Sequence, residues 1–413
     1  MKFLFKLGFK NLLRYKERTF LTCLSLAIGV CILLFFNGTL EWADDASIRN
    51  LKKYETASMK IGNAEFFEEE NYIPVDEVIR GKEKIEKILE EKGLEYTPEI
   101  KFKASLINEI TGDSYPFFGM GIEAESHRKV YDLYEMVYEG NLPENGNEIL
   151  ISENTAELLD VKVGEYLIVE ADTKTGAHNA DAFKITALFE TPNPEVNKNF
   201  FYISIDAANT LLAMGGDITL ISIKTEEKAE TLSREIKKEI DDIEGMTVKP
   251  WGELAQDYMD IREGKRGGTS MMLMMTFIII AVGIANTMNM AVFERTGEIG
   301  MMRAMGMTNR EIILNFIFES GGLGLLGGIL GLVLGAIVTW YLIQYGWDMS
   351  NYVGDISYGY RVSAVFRSKW DFGMMITAVI FTTVSASFIS IFPARRALKR
   401  SIAETLKSAG KFG

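Results

Sequence analysis

The sequence predicts a membrane α-helical protein: four transmembrane helices joined to an extracytoplasmic α+β domain. Three observations carry that expectation. Apolar runs over residues 19–40, 267–293, 312–343 and 372–392 each reach the roughly 20 residues needed to cross a hydrocarbon core. The first two of these runs hold no charged residue. Residues 41–266 lie between them, contain no further span, and carry a net charge of −22 within a chain total of −13. The mean hydropathy of +0.06 therefore averages a lipid-soluble part with a water-soluble one.

Residues 1–18 set Lys2, Lys6, Lys10 and Arg14 in one stripe and Phe5, Phe9, Leu12 and Leu13 in another. That spacing predicts a cytoplasmic amphipathic helix lying in the membrane interface. The first span follows as an uncleaved signal anchor, being too long for a signal-peptide core. Basic residues before it and Glu41, Asp44 and Asp45 after it place the N-terminus in the cytoplasm. Cys23 and Cys31 both fall inside this run, so they form no disulfide framework.

The acidic middle contains two similar stretches. Residues 58–62, 74–92 and 96–108 read as strand, charged helix and strand; residues 217–225, 226–244 and 246–250 repeat the pattern. Two such units predict helices layered on a sheet. Residues 115–212 between them read as a β-rich insertion, with strands near 147–152, 166–171, 183–189 and 200–205. The turn Thr191–Glu195 (TPNPE) offers a candidate protruding loop for a partner protein. The run Glu68–Glu70 reads as a solvated acidic loop. Such an acidic domain argues against binding nucleic acid or anionic headgroups.

Residues 256–266 read as a helical stalk entering the second span, whose outer end is rich in methionine: Met271, Met272, Met274 and Met275. Residues 294–311 then form a short charged segment between two spans. Met301, Met302 and Met305 recur there at a spacing expected to share one helical face, a soft apolar surface for a partner. The third span repeats glycine at Gly327, Gly331 and Gly335, and at Gly324 and Gly328. These are small-residue faces that admit another helix closely. Glu319 sits one turn inside that span, where it is expected to snorkel or to pair with a basic residue. After an extracytoplasmic loop over residues 344–371, with Trp347, Tyr352, Tyr358 and Tyr360 suited to an interfacial belt, Pro393 is expected to end the fourth span. Residues 393–413 form a basic cytoplasmic tail.

Motifs for chemistry are missing. The two histidines, His127 and His178, are far apart, and HExxH, CxxC, GxSxG and GxxxxGK[ST] do not occur. The sequence therefore offers no catalytic or metal-ligating set, and energy must come from another chain. Four spans are few to enclose a path across a membrane, so a second membrane subunit, identical or different, is expected beside this chain.

The segment ERTGEIGMMRAMGMTNREI resembles the cytoplasmic link of the FtsX-like permeases, the family of MacB-type exporters and the LolC/LolE lipoprotein-release subunits. Glu294, Arg295, Glu298, Ile299, Gly300, Arg303 and Gly306 carry that resemblance, and PARRALKRSIAETLK resembles the family's C-terminal signature. The succession within residues 41–266 is similar, in pattern, to the MacB periplasmic core. The resemblance implies that residues 294–311 hold a coupling helix docking into a cytoplasmic ABC ATPase dimer, which uses ATP and Mg while this chain binds no cofactor. It implies a multi-pass protein of the cytoplasmic (inner) membrane, with both termini cytoplasmic, working by mechanotransmission. The ectodomain's size and the lack of a fused ATPase favour lipoprotein release over two alternatives, MacB-type export of peptides or small molecules and FtsX-type regulation of a cell-wall hydrolase. A lipoprotein or other amphiphile is then the expected cargo, with room for a periplasmic acceptor protein. Lipoprotein release further implies lateral entry of acyl chains between the first two spans, past Phe36, Leu40, Met271 and Met275.

Overall fold

The computed structural model describes residues 16–68, 73–143, 146–226, 228–349 and 360–399. Residues 1–15 of the expected amphipathic helix over residues 1–18, most of the acidic run after Glu68, Tyr352, Tyr358 and the tail beyond residue 399 lie outside them. Two units emerge: residues 1–43, 262–349 and 365–413 form one, residues 44–261 and 350–364 the other. The first helix, α1 (Lys16–Tyr54), does not stop where the apolar run stops at residue 40. From Glu41 onward it has no Gly or Pro to break it. Ala46, Ser47, Leu51 and Tyr54 recur at helical spacing on its buried side.

In the second unit the chain runs β1 (Met59–Asn63), α2 (Ala64–Glu68), α3 (Lys82–Glu91), β2 (Glu95–Asn108), β3 (Ser114–Ile122), α4 (Ala124–Val130), β4 (Val137–Gly140) and β5 (Glu148–Ser152). It continues through α5 (Glu153–Leu159), β6 (Tyr166–Asp172), β7 (His178–Phe189), α6 (Pro194–Asn199), β8 (Phe200–Ser204) and α7 (Ile205–Leu211). It closes with β9 (Leu220–Lys224), α8 (Ala229–Glu239), β10 (Met246–Pro250) and α9 (Trp251–Leu254). Both charged helices are shorter than their sequence stretches. Gly81, at a φ of 65°, immediately precedes α3, so the expected start at Pro74 is replaced by irregular chain.

The ten strands form one connected sheet in the order β10-β1-β9-β2-β3-β8-β5-β7-β4, with β6 joining β2 to β7. The β1-α3-β2 and β9-α8-β10 units interleave at one end, as the two similar stretches suggested. The β-rich part shares a strand with the rest of the sheet. Strands β2, β3, β8, β5, β7 and β6 are paired in a ring that closes back on β2. The 14-residue β2 serves both parts: Glu95–Glu99 pair with β9, and Ala104–Asn108 pair with β6. Ile61, Ile100, Phe102, Phe201, Ile221 and Ile223 point to one face and form the main core with Ile85, Leu89 and Ile236 from α3 and α8. A Cβ at Gly119 would lie 2.2 Å from the Phe102 ring, so only glycine lets that ring lie flat on β3.

The other unit contains α10 (Gln256–Glu294), whose first residues, before Arg262, belong to the ectodomain unit. It then contains α11 (Thr296–Ala304), α12 (Asn309–Tyr345), α13 (Phe372–Ile389) and α14 (Ile391–Leu398). Among the described residues, four helices are long and apolar enough to cross a membrane: Thr19–Tyr54, Ser270–Glu294, Asn309–Tyr345 and Phe372–Leu398. Pro393 does not end the last of them. The single-residue break falls at Ser390, and Pro393 sits in the first turn of α14, where its missing N–H has no partner to lose.

The glycines of α12 serve two neighbours. Gly327, Gly331 and Gly335 face α1, where added Cβ atoms would meet Leu26, Val30 and Leu34 at 2.6–2.7 Å. Gly324 and Gly328 face α13 at Ala386 and Val379. Replacing Gly331 with leucine is expected to force α1 off α12, since the Ala27 carbonyl lies 2.8 Å from the new Cβ. Overpacking of this kind costs about 1–3 kcal/mol or more. The thermal midpoint of the purified protein should fall by several degrees, whereas Val333→Leu, on an exposed position of the same helix, should leave it unchanged.

Candidate functional site

The segment between the second and third spans is a helix, a stop and a restart. Residue Arg295 breaks α10 from α11: its backbone adopts φ −110°, ψ 20°, while its N–H still bonds the Ala291 carbonyl at 3.1 Å. At the far end Gly306, at φ 96°, turns the chain so that its N–H reaches the Arg303 carbonyl and that of Met307 reaches Met302. Thr308 and Glu311 then start α12 with a reciprocal capping box.

Arg295 turns its guanidinium inward. Its Nη1 donates to Glu319 Oε2 at 3.1 Å, with the two side chains only 5% and 1% exposed. The short helix is thus tied, at the residue that caps it, to the third span about three turns into α12. Around this pair Met288, Ala291, Ile299, Ile312, Phe316, Ala394 and Ala397 form an apolar core. An ion pair buried in such surroundings holds only while both partners are present.

The seven residues of the expected coupling set divide accordingly. Glu294 and Gly306 are exposed, Glu298 and Arg303 half-buried, and Arg295, Ile299 and Gly300 face inward. The methionines also divide. Met301 and Met305 are exposed together, Met305 to 77%, whereas Met302 packs against the core. Position 302 lies about 100° round the helix from 301, so the three do not share one face. The solvent-facing apolar pair is Met301 and Met305.

Of the candidate cargo-path residues, Phe36, Met271 and Met275 are exposed on the outside of the helical unit and Leu40 is half-buried. The first two spans meet elsewhere. Thr22 and Thr287 share a hydrogen bond at 2.7 Å, Gly29 approaches Ile279, and Met272 and Leu273 pack against Val30, Leu33 and Leu34.

The turn Thr191–Glu195 does not protrude. Asn193 is fully buried and donates to Glu55 Oε2 at 2.8 Å. The same carboxylate accepts from Arg361 Nε at 3.2 Å, while Arg361 Nη2 reaches Asp257 at 2.6 Å and Nη1 lies 3.8 Å from Glu195. One guanidinium thus gathers the end of α1, the start of α10 and this turn. Nothing in the loop sequence marks Arg361 for this role, because its partners lie more than 100 positions away.

Sequence reading also missed a polar layer on the second face of the ectodomain sheet. Lys60 on β1 pairs with Glu99 on β2 at 3.0 Å, almost wholly buried. His127 of α4 stacks on Tyr131 with ring centroids 4.6 Å apart, and Tyr131 donates to Ser222 at 3.0 Å. Burial pulls the His127 pKa down to about 4, although the Glu99 carboxylate opposes that shift.

Residues 270–402 match the family model for the FtsX-like permease C-terminal region. The chain is 27% identical over 260 residues to an uncharacterized ABC transporter permease of Methanocaldococcus jannaschii, covering 60% of this chain and 58% of that protein. It therefore spans less than two thirds of that relative's length. Over 306 residues it is 24% identical to the lipoprotein-releasing system transmembrane protein LolE of Haemophilus influenzae, covering 70% of this chain and 71% of that one. Among solved structures, the periplasmic region of MacB from Actinobacillus actinomycetemcomitans matches 51% of this chain and 97% of its own, with a TM-score of 0.36 and 11% identity.

Proposed function

We propose that this chain, an ABC transporter permease of the FtsX-like type, converts the closure of a separate cytoplasmic ATPase dimer into movement of its extracytoplasmic domain. The cargo in this reading is a lipoprotein drawn from the outer leaflet of the cytoplasmic membrane. The observation that carries the proposal is the exposed Met301–Met305 pair on α11, a helix tied by Arg295 to Glu319 of the next span. A partner that fits over those methionines and moves would pull on α12 through the buried ion pair. ATP and Mg belong to that partner. Both termini are cytoplasmic in this arrangement, and a second permease subunit completes the membrane path.

Cargo identity draws support from the likeness to LolE, which extends beyond the membrane part to most of the chain. Depleting the protein from its native cell and fractionating the membranes tests it. Mature lipoproteins should accumulate in the cytoplasmic membrane. An unchanged distribution would refute lipoprotein release and leave export of peptides or small molecules, or control of a cell-wall hydrolase, as the use of the same stroke. The coupling step has its own test. Met301→Glu with Met305→Glu should abolish co-purification of the ATPase, because two carboxylates cannot be desolvated in an apolar contact. Retention of the ATPase by that variant would refute docking at this helix.

A further inference from the structure

We propose that the ectodomain binds a small neutral amphiphile, with a hydrogen-bond-donating head on an aromatic or short aliphatic body, in a cavity on the second face of its sheet. The proposal stands apart from the transport reading, since it concerns a pocket wholly within one unit and is read by binding alone.

The cavity follows from the period-two alternation of the strands. Met59, Ile61, Ile100, Ile221 and Ile223 enter the main core, so Lys60, Glu99 and Ser222 must point to the opposite face. There Lys60 lies opposite Ser222 in the β1–β9 register, and Glu99 lies opposite Leu220 in the β2–β9 register. Helix α4 covers this face with His127, and α2 brings Phe66 and Phe67. Between them remains a cavity of about 80 Å³, lined by the polar layer on one side and by Phe66, Phe67, Phe200 and Leu220 on the other.

Two of the side chains that line this region carry a buried atom with no hydrogen bond. Glu99 is 0% exposed and uses Oε2 for Lys60, leaving Oε1 without a partner; His127 is 2% exposed and its Nδ1 has none. Buried polar atoms of this kind require partners. The carboxylate oxygen can only accept, and the neutral imidazole offers Nδ1 as a second hydrogen-bonding atom. A ligand must therefore donate. It must also be neutral, because the charged residues lining the cavity, Lys60, Lys101, Glu55 and Glu99, already balance and an added charge would be buried without compensation. The aromatic side calls for an apolar body. Water meets the first requirement and leaves the apolar wall unused, so it is the reading against which the proposal is tested.

The test uses the full chain in lipid nanodiscs with ¹³C-labelled methionine methyl groups, the Met120 signal being assigned with Met120→Leu. Met120 lines the cavity. Four probes share one ring and differ in the head: benzamide, benzoate, benzylammonium and toluene. Benzamide should shift the Met120 signal saturably in the millimolar range. Both charged probes should bind at least tenfold more weakly, and toluene several-fold more weakly for want of a donor. His127→Phe keeps a ring beside Tyr131 and removes one hydrogen-bonding atom, and should weaken benzamide about tenfold, the worth of one hydrogen bond. No saturable response to benzamide, an equal response to all four probes, or a charged probe ranking first would overturn the proposal. So would a His127→Phe protein that binds benzamide as tightly as before. Should that variant fail to fold, the ranking of the four probes on the unaltered protein decides.

Discussion

Replacing Arg295 with methionine should lower the stability of the membrane unit by about 3–5 kcal/mol, the usual cost of removing one partner from a buried ion pair. The reason is Glu319, 1% exposed, which loses the guanidinium that neutralises it inside the helical unit. The double replacement Arg295→Met with Glu319→Leu should recover most of that loss, because two apolar side chains suit the same surroundings. Function should not recover with it. If the pair transmits force from α11 to α12, the double variant should unfold near the unaltered protein's midpoint, bind the ATPase, and still fail to couple ATP hydrolysis to cargo movement. Thermal unfolding and coupled ATPase assays on the reconstituted complex measure both quantities. A single Arg295→Met variant with an unchanged midpoint would show the pair to be dispensable. A double variant with full coupling would reduce it to a packing feature.

The second large effect is a pH dependence. His127 has a pKa of about 4 in the folded protein against an ordinary 6.5. Below pH 6.5 the unfolded chain takes up a proton that the folded chain refuses until about pH 4. Unfolding therefore binds protons across that window, and stability rises with pH through it. This stabilisation, full above pH 6.5, is lost progressively on acidification, the loss reaching about 3 kcal/mol near pH 4. Other groups titrate there too, so the reading is a difference. From pH 7 to pH 4.5 the unaltered protein should lose more of its thermal stability than His127→Phe does. Parallel curves for the two proteins would mean that the imidazole reaches solvent.

Legibility in the sequence followed the reach of each interaction. Spans could be read because 20 apolar residues in a row admit few other fates, and the charged link between two of them was conspicuous by contrast. Its internal geometry was less so: Met302 sits one position from Met301 and turns inward, a distinction that needs a helical wheel rather than a count. Glu319 announced itself by its place in an apolar run, and Arg295 lay within the segment already singled out. Lys60 gave no such signal. In MKIGN a lysine alternating with apolar residues has the pattern of a half-exposed strand, and only the cover supplied by α4 and α2 buries it. Arg361 was hidden for a related reason, since a lone arginine in a loop has no neighbours in sequence to disclose three carboxylates in space. The overrun of α1 beyond residue 40 was concealed by the change from lipid-facing to charged side chains, which alters the solvent and leaves the helix intact.

The sharing of β2 between the two parts of the ectodomain bears on how such a domain can be taken apart. A module inserted at a loop can be excised, and its host heals across the gap. Here the host's own strand is one stave of the ring, so removing residues 109–219 would strip Ala104–Asn108 of β6 and of β3 together. The remaining half-strand would present two bare edges and the apolar side chain of Leu106 to solvent, a template for aggregation. Chimaeras that graft the ring of one such protein onto another must therefore carry β2 with it, and with β2 goes Glu99. Exchanging the ring therefore parts Glu99 from Lys60, which stays behind on β1.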